Sequence, residues 1–99
     1  MILEVAILNI RDGTNDAFEA AFREASGIIS SMPGYHSHEL RHCLEAPGRY
    51  ILLVNWQSLE DHTVGFRQSA DYQRWRTLLH HFYDPFPTVE HYGESLLHP

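Results

Sequence analysis

Apolar residues recur with two different periods along this chain, and the alternation of those periods outlines its elements. Ile2 to Ile10 (ILEVAILNI) is a run of strand formers broken only by Glu4 and Asn9, the composition of a buried β-strand. Arg11-Asp12-Gly13 reads as a turn, with a glycine where positive φ is cheap. Phe18, Ala21, Phe22, Ala25, Ile28 and Ile29 then fall three or four apart, with Glu19, Arg23 and Glu24 on another face. That spacing predicts an amphipathic helix, capped by Thr14, Asn15 or Asp16 and stopped by Met32-Pro33-Gly34.

Tyr35 to Leu44 alternates as a strand does, with Leu40 and Leu44 on one side and Tyr35 and Cys43 on the other. The turn Glu45-Ala46-Pro47-Gly48 makes a hairpin with Tyr50 to Trp56, a nearly unbroken apolar run. Ser58 offers a hydroxyl cap with Asp61 three residues on, opening a helical segment that breaks near Gly65 to Ser69. Ser69 caps a further helix carrying Tyr72, Trp75, Leu79 and Phe82, ended by Asp84-Pro85-Phe86-Pro87. Thr88 to Tyr92 is a last short strand. The order β-α-β-β-α-β is that of an α+β, ferredoxin-like fold: one antiparallel sheet with both helices on one face. The reading gives one domain over residues 1–93 and a tail over 94–99. Strands 1 and 3 show little polar alternation, so the outer sheet face needs cover, and a homodimer through the sheet faces is the simplest solution.

Composition narrows the function classes. Ninety-nine residues hold one core, and 43% apolar with 12% aromatic is ample to build it. The net charge is −6, and the seven basic residues are scattered arginines. No basic stripe is present to neutralise phosphates, so no nucleic-acid partner is expected. No apolar run approaches the roughly 20 residues of a membrane span, and no export signal precedes the first strand. The single Cys43 cannot close an intramolecular disulfide. Together these point to a cytoplasmic protein.

Met32-Pro33-Gly34-Tyr35, Arg49-Tyr50 leading to Asn55-Trp56-Gln57-Ser58-Leu59-Glu60-Asp61-His62, and then Phe66 to Trp75 resemble the antibiotic biosynthesis monooxygenase (ABM) family, over roughly residues 1 to 93. The resemblance implies a dimeric α/β barrel. It also implies one of two chemistries: cofactor-independent, quinone-forming oxygenation, or haem degradation. Trp56 matches the family's Trp at the end of the third strand. Haem-degrading members pair it with an Asn on the first strand and a His on the later helix. Those positions fall near Ala6 and Arg76 here, which counts against haem. A non-catalytic dimeric module binding a small hydrophobic molecule fits the same resemblance.

Cofactor-free oxygenation needs a dry apolar cavity, a donor near the developing anion, and a base for a phenolic proton. Trp56, His62 and His81 are the candidate catalytic residues, and Phe66, Tyr72, Trp75 and Phe82 the candidate walls for a small hydrophobic substrate. Trp56 reads equally as a packed core indole, and the two histidines as surface residues of a helix. Asn55 and Trp56 are adjacent on a strand and point to opposite faces. His36, His38 and His42 share a parity, as a metal-binding His-x-His pair would, yet no carboxylate on that face completes a set. Cys43 reads as a small buried hydrophobe rather than a nucleophile. No metal site is expected, and without a Gly-rich phosphate loop neither is a bound flavin or nicotinamide.

Overall fold

The computed structural model describes residues 1–98 and follows the expected order: β1 (Ile2–Asn9), α1 (Asn15–Ile29), β2 (Tyr35–His42), β3 (Arg49–Trp56), a π-helical turn (Asp61–Phe66), α2 (Ala70–Leu79), a 3-10 turn (His80–Phe82) and β4 (Val89–Tyr92). The four strands form one antiparallel sheet in the order β2-β3-β1-β4. The two apolar runs, β1 and β3, therefore lie side by side in the middle. The more polar β2 and the short β4 take the edges, where unpaired backbone groups meet water. Both helices cover one face. The core between them and the sheet gathers Ala6, Leu8, Leu52, Val54 and Trp56 from the strands with Phe18, Phe22, Trp75 and Leu79 from the helices.

The helix starts hold as the hydroxyl positions suggest. The Ser69 side chain accepts from the Tyr72 amide at 3.2 Å, and Ser58 accepts from the Asp61 amide at 3.3 Å while donating to its carboxylate. Thr14 stands at the start of α1, but its hydroxyl donates backward to the Arg11 carbonyl and leaves the helix amides uncapped.

Four local expectations are corrected. Tyr35 does not share a face with Cys43: the register slips between Tyr35 and Ser37, a bulge that turns Tyr35 to the side of His38, whose ring it contacts. The same bulge separates His36 from His38. His36 meets Gln57 at the surface while His38 reaches Ser26 on α1, so the two cannot chelate together. The strand also stops at His42, leaving Leu44 96% exposed instead of paired with Leu40. Finally, the last helix does not carry its α-helical period to Phe82, because it tightens into a 3-10 turn from His80.

On the outer face, Leu3, Val5, Ile7, Ile51 and Leu53 stand partly or largely exposed in the centre of the sheet. Residues 94–98 of the expected tail carry no helix or strand, and Pro99 lies outside the described residues. Among the described residues, no helix is long and apolar enough to cross a membrane.

Candidate active site

Between the sheet and α2 lies a cavity of about 380 Å³. Its floor is β1 and β3, contributing Glu4, Ala6, Leu8 and Leu52. Phe66, Tyr72 and Trp75 form the helical wall, and His62, Arg67, His80, Tyr83, Phe86, Pro87 and Val89 complete the lining. The aromatic wall is built edge-on: Phe66 meets Tyr72 and Trp75 with ring centroids 5.2 and 5.5 Å apart at steep angles.

One charged group interrupts this lining from below. Glu4 is the inward-facing acid of β1, 5% exposed, and it sits in a network drawn from three other elements. Trp56 lies diagonally across the β1–β3 pair, and its indole N–H donates to Glu4 Oε1 at 2.9 Å. His62 places Nε2 3.3 Å from the same oxygen. His91 is the partner of Glu4 on β4, and its Nε2 lies 2.8 Å from Nδ1 of His62. His62 also stacks on Trp56, with centroids 5.4 Å apart and planes 21° apart.

The π-helical turn makes this possible. The Arg67 amide reaches back five residues to the His62 carbonyl at 3.0 Å. This widened turn aims both His62 and Phe66 at the sheet, where each is at most 3% exposed. Its entry is fixed by the Met32-Pro33-Gly34 turn. The Gln57 amide donates to the Gly34 carbonyl at 2.7 Å, and the Asp61 side chain fills the space a side chain on Gly34 would need.

Burial sets the electrostatics. It raises the Glu4 pKa above its ordinary 4.5, a rise that the Trp56 hydrogen bond and the Arg67 charge oppose. Burial also pushes His62 down to about 3, helped by Arg67 and His91, so its ring is neutral near pH 7. His80 is lowered by burial and then by Arg76, and His91 by burial and then by Arg67. Tyr83 is pushed well above the ordinary phenol range by burial, with Tyr72 and Glu4 adding to it. At neutral pH it is a hydrogen-bond donor.

Of the residues singled out in the sequence, His62, Phe66, Tyr72 and Trp75 border the cavity. Trp56 does not: it is fully buried behind the floor, against the lining residues Glu4, His62 and Phe66. Phe82 packs edge-on against Phe18 in the core, and His81 is exposed, its carbonyl taken by the Arg11 side chain. In the 3-10 turn the neighbouring ring, His80, is the one directed inward. Glu4, Tyr83 and His91 were not anticipated. Glu4 had a signal, as the lone acid in an apolar run at the parity of Ala6 and Leu8. His91 had none. No three His, Cys, Asp or Glu side chains among the described residues are grouped to hold a metal ion.

A split βαβ sheet with a ring-lined hollow under its second helix defines a ferredoxin-like α+β protein. The chain belongs to the antibiotic biosynthesis monooxygenase family, whose profile matches residues 1–78. It is 55% identical over 94 residues to the Bacillus subtilis (strain 168) protein YczJ, itself uncharacterised, covering 95% of this chain and 99% of that one. A candidate antibiotic biosynthesis monooxygenase from Bordetella bronchiseptica superposes with a TM-score of 0.91 at 37% identity, over 96% of this chain and 97% of the other. SnoaB, a cofactor-independent oxygenase from Streptomyces nogalater, shares the fold at a TM-score of 0.71 and 19% identity, over 96% and 95% of the two chains.

Proposed function

We propose that this protein is a cofactor-independent monooxygenase that oxidises a hydrophobic, electron-rich aromatic molecule, quinol- or anthrol-like, with O2. The observation that carries the reading is the cavity: about 380 Å³, walled by Phe66, Tyr72 and Trp75, with one buried carboxylate in its floor. An aromatic substrate would lie against the edge-on rings of Phe66, Tyr72 and Trp75, which supply the apolar side of the cavity. The chemistry needs an ionised phenol, because the anion is electron-rich enough to reduce O2. Arg67 and the Tyr72 and Tyr83 hydroxyls offer positive charge or O–H groups to negative charge developing on a substrate or peroxide oxygen. Membership of the family and the fold shared with SnoaB support the same reading.

The active form in this reading is a homodimer joined through the outer sheet faces. Ile7 is 42% exposed at the centre of that face, flanked by Leu3, Val5, Ile51 and Leu53, an apolar stripe that a second copy would cover.

Oxygen-electrode measurements on purified protein in metal-free buffer, with a panel of hydroquinones and anthrols, test the activity. Protein-dependent O2 uptake with formation of a quinone is expected. Tight binding of the same compounds without uptake would instead make the protein a binding module.

A further inference from the structure

We propose that Glu4 is the group that takes the hydroxyl proton from the aromatic substrate, and that Trp56, His62 and His91 are positioning residues that hold its carboxylate for that step. The proposal rests on the oxygenase reading above and names the residues that would carry it.

The argument is one of hydrogen-bond capacity. Oε1 of Glu4 is engaged, with the Trp56 indole at 2.9 Å and the His62 ring at 3.3 Å. Oε2 has no hydrogen bond from the described residues, and Glu4 lines the cavity. The indole can only donate. His62 stands with Nε2 3.3 Å from Oε1, and its Nδ1 shares a hydrogen bond with Nε2 of His91 at 2.8 Å, one ring donating and the other accepting, so the two imidazoles fix each other's orientation beside the carboxylate. The indole bond and the packed imidazole pair thereby hold a carboxylate whose second oxygen has no partner among the described residues. His62 itself is a poor base: its Nδ1 is taken by His91, its Nε2 lies against Glu4, and its ring is stacked on Trp56. The remaining rival is His80, which borders the same cavity.

The step balances as follows. The substrate O–H bond breaks, an O–H bond forms on Oε2, and a phenolate remains. The phenolate gives electrons to O2, and a C–O bond forms at a ring carbon bearing hydrogen, giving a peroxide anion. Glu4 returns its proton to that peroxide. The ring carbon then loses its hydrogen as the O–O bond breaks. Water departs and a quinone carbonyl remains, with Glu4 again a carboxylate.

The titratable and charged groups facing Glu4 are His62 from the π-helical turn and Arg67 just after it, His91 on β4, Tyr72 on α2, and His80 and Tyr83 beyond it. kcat/KM against pH should rise along an acid limb set by the Glu4 carboxyl, above the ordinary carboxylate range because burial penalises its charge. Glu4→Gln keeps an acceptor for the indole and should lower kcat by about 100-fold or more. His80→Gln should leave the acid limb where it is. His91→Phe should lower kcat at constant KM and move the limb, and His91→Gln, which can still donate to His62, should restore both. Wild-type turnover in Glu4→Gln, loss of the limb in His80→Gln, or an unmoved limb in His91→Phe would each overturn the proposal.

A second measurement needs no turnover. Bound 4-nitrophenol, titrated by its visible absorbance, should ionise in two coupled steps in the wild type and in one step in Glu4→Gln. Identical curves would overturn the assignment of Glu4. Absence of O2 uptake alongside the two-step titration would sink the oxygenase reading and leave Glu4 as the proton acceptor of the cavity.

Discussion

The Trp56 indole N–H donates to Glu4 Oε1 at 2.9 Å across 52 residues of sequence, and both residues are buried. The bond gives Trp56 two functions: it fills the floor between β3 and the π-helical turn, and it satisfies a carboxylate that would otherwise be costly to bury. Trp56→Phe keeps most of the volume and removes the donor. It should destabilise the fold by about 1–3 kcal/mol, the cost of leaving a buried acceptor short of a partner. Urea unfolding of the two proteins measures it. A difference below about 0.5 kcal/mol would mean that water or a rearranged His62 replaces the indole.

The stability of this protein should fall steeply in acid. His62 has its pKa lowered from 6.5 to about 3, so below pH 6.5 the unfolded chain binds a proton that the native state refuses. Stability from this group is complete above 6.5 and is lost as the pH falls toward 3, by at most about 1.4 kcal/mol per pH unit. Glu4 acts in the opposite sense. Its native pKa lies above 4.5, so its contribution falls as the pH rises through the interval above that value. Between 4.5 and 6.5 the two slopes oppose each other, and below 4.5 that of His62 stands without this opposition. Urea midpoints from pH 7 to 3 should therefore drop most sharply below 4.5, and His62→Gln should flatten that limb. An acid limb unchanged by the substitution would show that His62 is protonated in the native state.

Gly34 and Gly27 make opposite cases in one chain. Gly34 has φ +82°, and a Cβ there would stand 2.2 Å from Asp61 Cγ. Gly34→Ala must strain the backbone by about 1–2 kcal/mol and push Asp61 off its Ser58 partner. A total loss above about 2 kcal/mol is expected. It should come with a disturbed His62, whose turn begins at Asp61. Gly27 lies in α1 with nothing near its Cβ position, so Gly27→Ala should stabilise by about 0.5–1 kcal/mol. Paired thermal melts with opposite shifts bear this out, and a stabilised Gly34→Ala would contradict the role given to the turn.

These positions also show how far the sequence can be read. The unbroken runs of β1 and β3, the helical spacing from Phe18 to Ile29 and the Pro-Gly stop at residues 33 and 34 each state their structure locally, and with them the ferredoxin-like order. The bulge after Tyr35 does not, since one extra residue inverts side-chain parity without changing composition. The site is nonlocal in the same way. Trp56, Phe66, Tyr72 and Trp75 stand out as a ring-rich segment. Glu4 and His91 meet His62 only because β1 lies between β3 and β4 and a π-helical turn re-aims residue 62. His80 and His81 are equivalent in sequence, and the tightening of the helix end decides which of them faces inward.

The outer sheet face offers the most direct test of the dimer. Ile7 pairs with Ile51 and Val5 with Leu53, so these side chains form one cross-strand block on the face away from the helices. Burying such side chains in a symmetric interface stabilises it by about 25 cal/mol for each Å² removed from water, whereas a charge at its centre would be buried unpaired. Ile7→Asp and Leu53→Arg, each alone, should therefore yield monomers, while neither side chain contacts the cavity. Light scattering after size-exclusion chromatography reads the outcome. Mixing the two variants adds a sharper condition: in a two-fold face-to-face arrangement the opposite charges can meet, and the mixture should recover dimer that neither variant forms alone. A wild-type protein that is monomeric at micromolar concentration would remove the dimer. A mixture that stays monomeric while the wild type is dimeric would place positions 7 and 53 out of reach of one another across the two-fold axis.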